Sequence, residues 1–194
     1  MLIKNFKGDF YPENIDSVIE DMSRYIMEVD KQLNSRTPYH LADFISFSEK
    51  GNQKNIKLFE KHFRFNSDNK KYKGKEIKGL YVLAEEKEGK IEVVNIGISK
   101  TIMRRFYQHT CGKKHNEYTL GFYMALNEYK ERFGKDFEKK RHEFPYEEYR
   151  PDIMDYIRKL RFAIVPIDNN FELYMAEVYL ACHYKTLWNT FETH

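Results

Sequence analysis

No long apolar run occurs in the 194 residues; nothing approaches the roughly 18 consecutive apolar residues that a membrane span requires. The opening stretch, MLIKNFKGDFYP, also lacks an apolar segment of signal-peptide length, so the expectation is a soluble, cytoplasmic protein with no membrane partner. Cysteine is scarce. Cys111 and Cys182 lie far apart and outside any CxxC pattern, too little for a disulfide framework, and reduced thiols are expected. His109, Cys111 and His115, with Cys182 and His183 far along the chain, match no closed four-ligand zinc spacing. Internal repeats and long low-complexity tracts are missing too. So is a strong charge excess: 33 Lys and Arg against 30 Asp and Glu leave +3, and composition by itself does not define a nucleic-acid binder.

What charge there is falls unevenly. Lys61 to Lys78 holds seven basic residues (61, 64, 70, 71, 73, 75, 78) against Asp68 and Glu76, and Lys100 to His115 holds five (100, 104, 105, 113, 114) against none. These stretches are either solvated loop surface or a footprint for a polyanion. With 41% hydrophobic residues there is material for a real core, to which most of the 15 Tyr and 15 Phe should belong.

Along the chain, Ile15, Val18, Ile19, Met22, Ile26 and Val29 recur at spacings of three and four, predicting an amphipathic helix between Pro12 and Leu33. Residues 38–65 read as partly helical, and SDNKKYKGK (67–75) as a polar, basic connector. Then IKGLYVLAEEKEGKIEVVNIGIS places two β-branched runs around EEKEGK, an antiparallel hairpin. A turn centred near Glu88 would set Tyr81 opposite Asn95, a relation that a one-residue slip would undo. A helix from about Lys100 should turn Ile102 and Phe106 to the core, with Arg105 and His109 one turn apart beside them. Residues 118–133 and 151–159 read as helices of an insertion, LRFAIVPI (160–167) as a strand, and FELYMAEVYLACHYKTLWN (171–189) as the start of a further helix.

Gly79-Leu80-Tyr81, Asn95-Ile96-Gly97, Arg105, His109, Glu177 and Asn189, taken in this order and spacing, resemble the GIY-YIG nuclease family. Its Gly-Ile-Tyr motif corresponds to residues 79–81 and its Tyr-Ile-Gly motif to 95–97. The arginine of the following helix falls on Arg105, the basic or aromatic residue one turn later on His109, the metal-binding glutamate on Glu177 in AEVYL, and the later asparagine on Asn189 in LWN. The resemblance covers roughly residues 77–192 without the insertion, and the chain departs from the family where Asn95 replaces the second tyrosine.

The resemblance implies an α+β fold with a small three-stranded antiparallel sheet flanked by helices. The layout expected is an N-terminal helical extension (1–75) and a catalytic domain (76–194) with a helical insertion at about 111–159. It implies a Mg2+-dependent DNA endonuclease, with Mn2+ as a substitute, acting on double-stranded DNA; its compact size is closest to restriction-type members, which would act as a homodimer. Chemically, Arg105 offers a fork of donors to phosphate oxygens, and Glu177 is a hard oxygen ligand suited to Mg2+. Tyr81 is the base that the family suggests for the attacking water, although a phenol with a pKa near 10 needs help from its neighbours. His109 would relay or accept the phenolic proton, Asn95 would orient water or phosphate, and Asn189 would position the tyrosine or glutamate. Two other readings stand beside this one: a catalytically inactive nucleic-acid-binding module, and a helical interaction protein with no nucleic-acid role.

Overall fold

The computed structural model describes residues 3–6, 8–46, 52–63, 76–112 and 119–191. The connector 67–75 and the basic residues Arg64, Lys70, Lys71, Lys73, Lys75, Lys113, Lys114 and His115 lie outside them. Seven α-helices and six strands order the rest into an α+β fold.

Helix α1 (Ile15–Leu33) begins where the Asn14 side chain accepts the backbone N–H of Asp16, as an N-cap asparagine does. Its buried stripe is Val18, Met22, Tyr25, Val29 and Leu33. Ile15 and Ile19, expected on that stripe, are exposed, and Tyr25 widens the buried stripe on the side away from them.

Strands β4 (Gly79–Lys87) and β5 (Lys90–Ser99) form the hairpin, closed by Glu88 and Gly89 at φ 52° and 75°. Two left-handed residues in succession make the two-residue turn whose twist suits an antiparallel pair. Lys87 therefore faces Lys90, and Ala84 faces Val93. Between Leu83 and Ala84 the register shifts, so Leu83 faces Asn95 and Tyr81 faces Gly97, not Asn95. The expected pairing is corrected by two residues, one from the position of the turn and one from a bulge on β5. The bulge restores parity: without it Tyr81 would face Ile96, and Asn95 and Gly97 would point to the opposite side of the sheet.

Strand β6 (Arg161–Pro166) pairs antiparallel with β4, setting Tyr81 against Ile164. At Gly79 a Cβ would run into the Val165 carbonyl, so this close pairing requires glycine. The two-residue β1 (Tyr39–His40) adds to the far side of β6, giving the order β1-β6-β4-β5. The sheet thus has four strands rather than the three expected. A second ribbon joins β2 (Ile45–Ser46) to β3 (Gln53–Lys54). Two-residue strands carry no alternation in the sequence, which is why neither was foreseen.

Beyond β1 the Gln32 side chain continues the pairing, accepting the N–H of Ile164 and donating to its carbonyl, both at 2.9 Å. The helices lie on both faces. Leu80, Val82, Ala84, Ala163 and Val165 point toward α1 and α7 (Asn170–Tyr184). Tyr81, Leu83, Phe162 and Ile164 point toward the second core. That core is shared with α2 (Leu41–Phe44), α3 (Ile56–His62), α4 (Ile102–Cys111), α5 (Thr119–Phe133) and α6 (Tyr146–Lys159). Among the described residues no helix is long and apolar enough to cross a membrane.

Candidate active site

The edge strand β5, which among the described residues pairs only with β4, borders a cavity of about 160 Å³ whose lining includes Tyr81, Asn95, Arg105, His109, Glu177 and Asn189. All six positions singled out in the sequence meet there, although the chain between the first and the last passes through four α-helices and two further strands. Tyr81 is delivered by the central strand and lies across Gly97, where a Cβ would overlap the phenol ring. Arg105 and His109 come from consecutive turns of α4, Glu177 from α7, and Asn189 from the segment that follows it.

Tyr81 is the hub. Its Oη lies 2.9 Å from His109 Nε2 and accepts a hydrogen bond from Arg105 Nε at 3.4 Å. Arg105, not its neighbour Arg104, is therefore the arginine aimed at the site. Burial pushes the Tyr81 phenol above its ordinary pKa, with Arg105 opposing. Burial holds the His109 imidazole well below its ordinary value, and Arg105 acts in the same direction, so the ring is neutral.

Helix α4 owes its placement to a residue the sequence reading passed over. Thr101, at the N-cap, makes no side-chain cap. Instead the buried Glu76 carboxylate accepts the backbone N–H groups of Met103 at 3.0 Å and Arg104 at 3.1 Å. A carboxylate at a helix N-terminus suits both the orphan donors and the dipole. The available signal was Glu76 itself, one of only two acids in the basic stretch from Lys61 to Lys78.

Glu177 is half-buried on α7, and the helix is less buried than expected: Leu173, Ala176 and Leu180 face the sheet, while Tyr174 and Val178 are 64% and 48% exposed. The carboxyl makes no hydrogen bond among the described residues. Burial raises its pKa and Arg105 opposes that rise.

Asn189 differs from its expected role. Its Oδ1 accepts the N–H of Ile96 at 2.8 Å and its Nδ2 donates to the Ile96 carbonyl at 2.7 Å. It therefore seals the β5 edge as Gln32 seals β6, while Asn95 Nδ2 donates weakly to the same Oδ1 at 3.4 Å. One residue earlier, the Trp188 N–H donates to the Val94 carbonyl. Trp188 both packs against the second core and lines the cavity. Thr119 and Tyr123 of α5 supply another part of the wall, so the insertion helps to enclose the site. Neither carried a signal in the sequence.

Among the described residues there is no group of three or more His, Cys, Asp or Glu side chains that could hold a metal. The donor set is instead one carboxylate without a hydrogen bond, beside an arginine. That set fits Mg2+, which takes few protein ligands and keeps several waters. Compared with known protein families, curated proteins and solved structures, the chain matches none.

Proposed function

We propose that this chain is a metal-dependent endonuclease of the GIY-YIG type that hydrolyses DNA phosphodiester bonds, in the manner of a compact restriction enzyme. The observation that carries the reading is the convergence of six motif positions, spread from residue 81 to residue 189, on one cavity. A motif assigned by chance would scatter its residues over the surface.

In this reading Arg105 binds the non-bridging oxygens of the scissile phosphate and opposes the charge that builds on phosphorus. Glu177 would hold Mg2+, or Mn2+ in its place. When bound, the ion supplies charge stabilisation at the leaving oxygen. Tyr81 meets the attacking water, with His109 and Arg105 fixing its hydroxyl. Asn95 offers an amide where the family pattern has a phenol, and its contact with Asn189 limits it to orienting groups. Double-stranded DNA is the substrate, and cutting both strands calls for two copies of the chain, since one site cuts one strand.

The test is cleavage of supercoiled plasmid at low salt with Mg2+, Mn2+ or EDTA. Wild type should give discrete, metal-dependent fragments, and Glu177→Ala and Arg105→Ala should each lower the rate by about 100-fold or more. Asn95 favours a second reading, a nucleic-acid-binding module that has lost chemistry. That reading predicts salt-sensitive DNA binding by a folded wild type that leaves plasmids uncut. Absence of binding at low salt would overturn both.

A further inference from the structure

The tautomer of His109 follows from what its two ring nitrogens meet. The ring is 1% exposed. Nε2 lies 2.9 Å from Tyr81 Oη, whereas Nδ1 has no hydrogen-bond partner among the described residues. An imidazolium here would bury a second cation beside Arg105 and leave one N–H unanswered, so the ring is neutral and carries one N–H.

Two arrangements remain. With the proton on Nδ1, Nε2 would accept the Tyr81 hydroxyl, and an N–H donor would be orphaned in the core. Orphaned buried N–H groups are rarer in folded proteins than under-satisfied acceptors. With the proton on Nε2, the only donor of the ring meets Tyr81 Oη, and only a lone pair is left without a partner among the described residues. We propose that His109 is held as the Nε2–H tautomer and donates to Tyr81, rather than receiving the phenolic proton.

Arg105 Nε donates to the same oxygen. With two donors behind Oη, the hydroxyl hydrogen of Tyr81 turns toward the cavity, and both donors favour the phenolate over the phenol. The mechanistic consequence rests on the nuclease reading: Tyr81 gives its proton to a water molecule on the cavity side, leaving a phenolate and a hydronium ion that passes to solvent, and His109 acts as a positioning residue that stabilises the phenolate. This inverts the relay role expected from the sequence. The nitrogen free to accept a proton is Nδ1, which Tyr81 does not touch.

The experiment is a long-range 1H–15N correlation spectrum of the full chain with 15N-labelled histidine. The chain has seven histidines, and the His109 pattern is assigned as the one lost in His109→Gln. Should that variant fail to fold, Tyr81→Phe assigns it as the ring whose Nε2 signal moves most. The expected result is a protonated Nε2 and an Nδ1 at the shift of an unprotonated ring nitrogen. A protonated Nδ1 with a bare Nε2, or protons on both, overturns the proposal. The spectrum reads the tautomer whether or not DNA is cut, so failure of this inference is separate from failure of the nuclease reading.

Discussion

Gly97 and Tyr81 face each other across the β4–β5 ladder, and the absence of a side chain on one makes room for the ring of the other. Gly97→Ala would push Tyr81 away from Arg105 and His109. The expected cost is about 1–3 kcal/mol of stability, typical of overpacking, with cleavage falling further than stability; urea unfolding and the plasmid assay check the two. Glu177 shows the opposite balance. Its folded pKa is raised by burial, so between the ordinary carboxylate value and the raised one the folded state binds more protons than the unfolded state. Stability is therefore greatest below the ordinary value and falls as pH rises through the folded one. Glu177→Gln removes that penalty. In EDTA at neutral pH it should be more stable than wild type by about 1 kcal/mol, the scale of a stability–function trade-off. The gap should close below about pH 4, where a free carboxyl is protonated. Chemical denaturation across pH measures it, and a wild type more stable than the variant at pH 7 would contradict it.

At the scale of elements, the site depends on one bulge and one cap. The bulge on β5 turns Asn95 and Gly97 to the face of Tyr81, and Glu76 fixes the first turn of α4, which carries Arg105 and His109. Glu76→Ala would leave two backbone donors of α4 unanswered, an expected loss of about 2–3 kcal/mol. Gln, keeping one acceptor, should fall between Ala and wild type in urea unfolding. These devices also mark what the sequence could reveal. The hairpin, α4, β6 and the site-bearing helix α7 were legible because each is a run of apolar or β-branched residues set off by polar, turn-forming stretches. Register was not, because a turn centred between Glu88 and Gly89 instead of on Glu88, and a single extra residue in β5, change no hydrophobic pattern while moving Tyr81 from Asn95 to Gly97. The six site positions were legible as a motif, not as geometry. Glu76, Thr119 and Tyr123 belong to the site only through folding, since nothing local in sequence ties them to it.

On the scale of the whole molecule, described elements from the first 75 residues pack on both faces of the sheet that borders the candidate site. One face of that sheet is covered by α1, whose Val18, Met22, Val29 and Leu33 are buried against α7 and the sheet. The other face receives Phe44 and Phe59, with Phe44 stacked edge-on against Phe162 at 5.5 Å, and Phe162 in turn 4.7 Å from Phe106 of α4. Gln32 seals the β6 edge, and Tyr25 donates to Glu172 of α7. The four aliphatic side chains of α1 alone contribute about 1.5–3 kcal/mol each on burial. Their sum is comparable with the whole stability of a domain this size, about 5–15 kcal/mol. A fragment of residues 76–194 should therefore lack a cooperative thermal transition, and adding residues 1–75 as a separate chain should restore one only at high concentration, because both faces of the sheet must be covered together. Circular dichroism melts of the fragment decide this. A sharp transition in the fragment alone would mean that the sheet, α4 and α7 bury enough by themselves, and that the N-terminal helices serve another purpose than holding the site in shape.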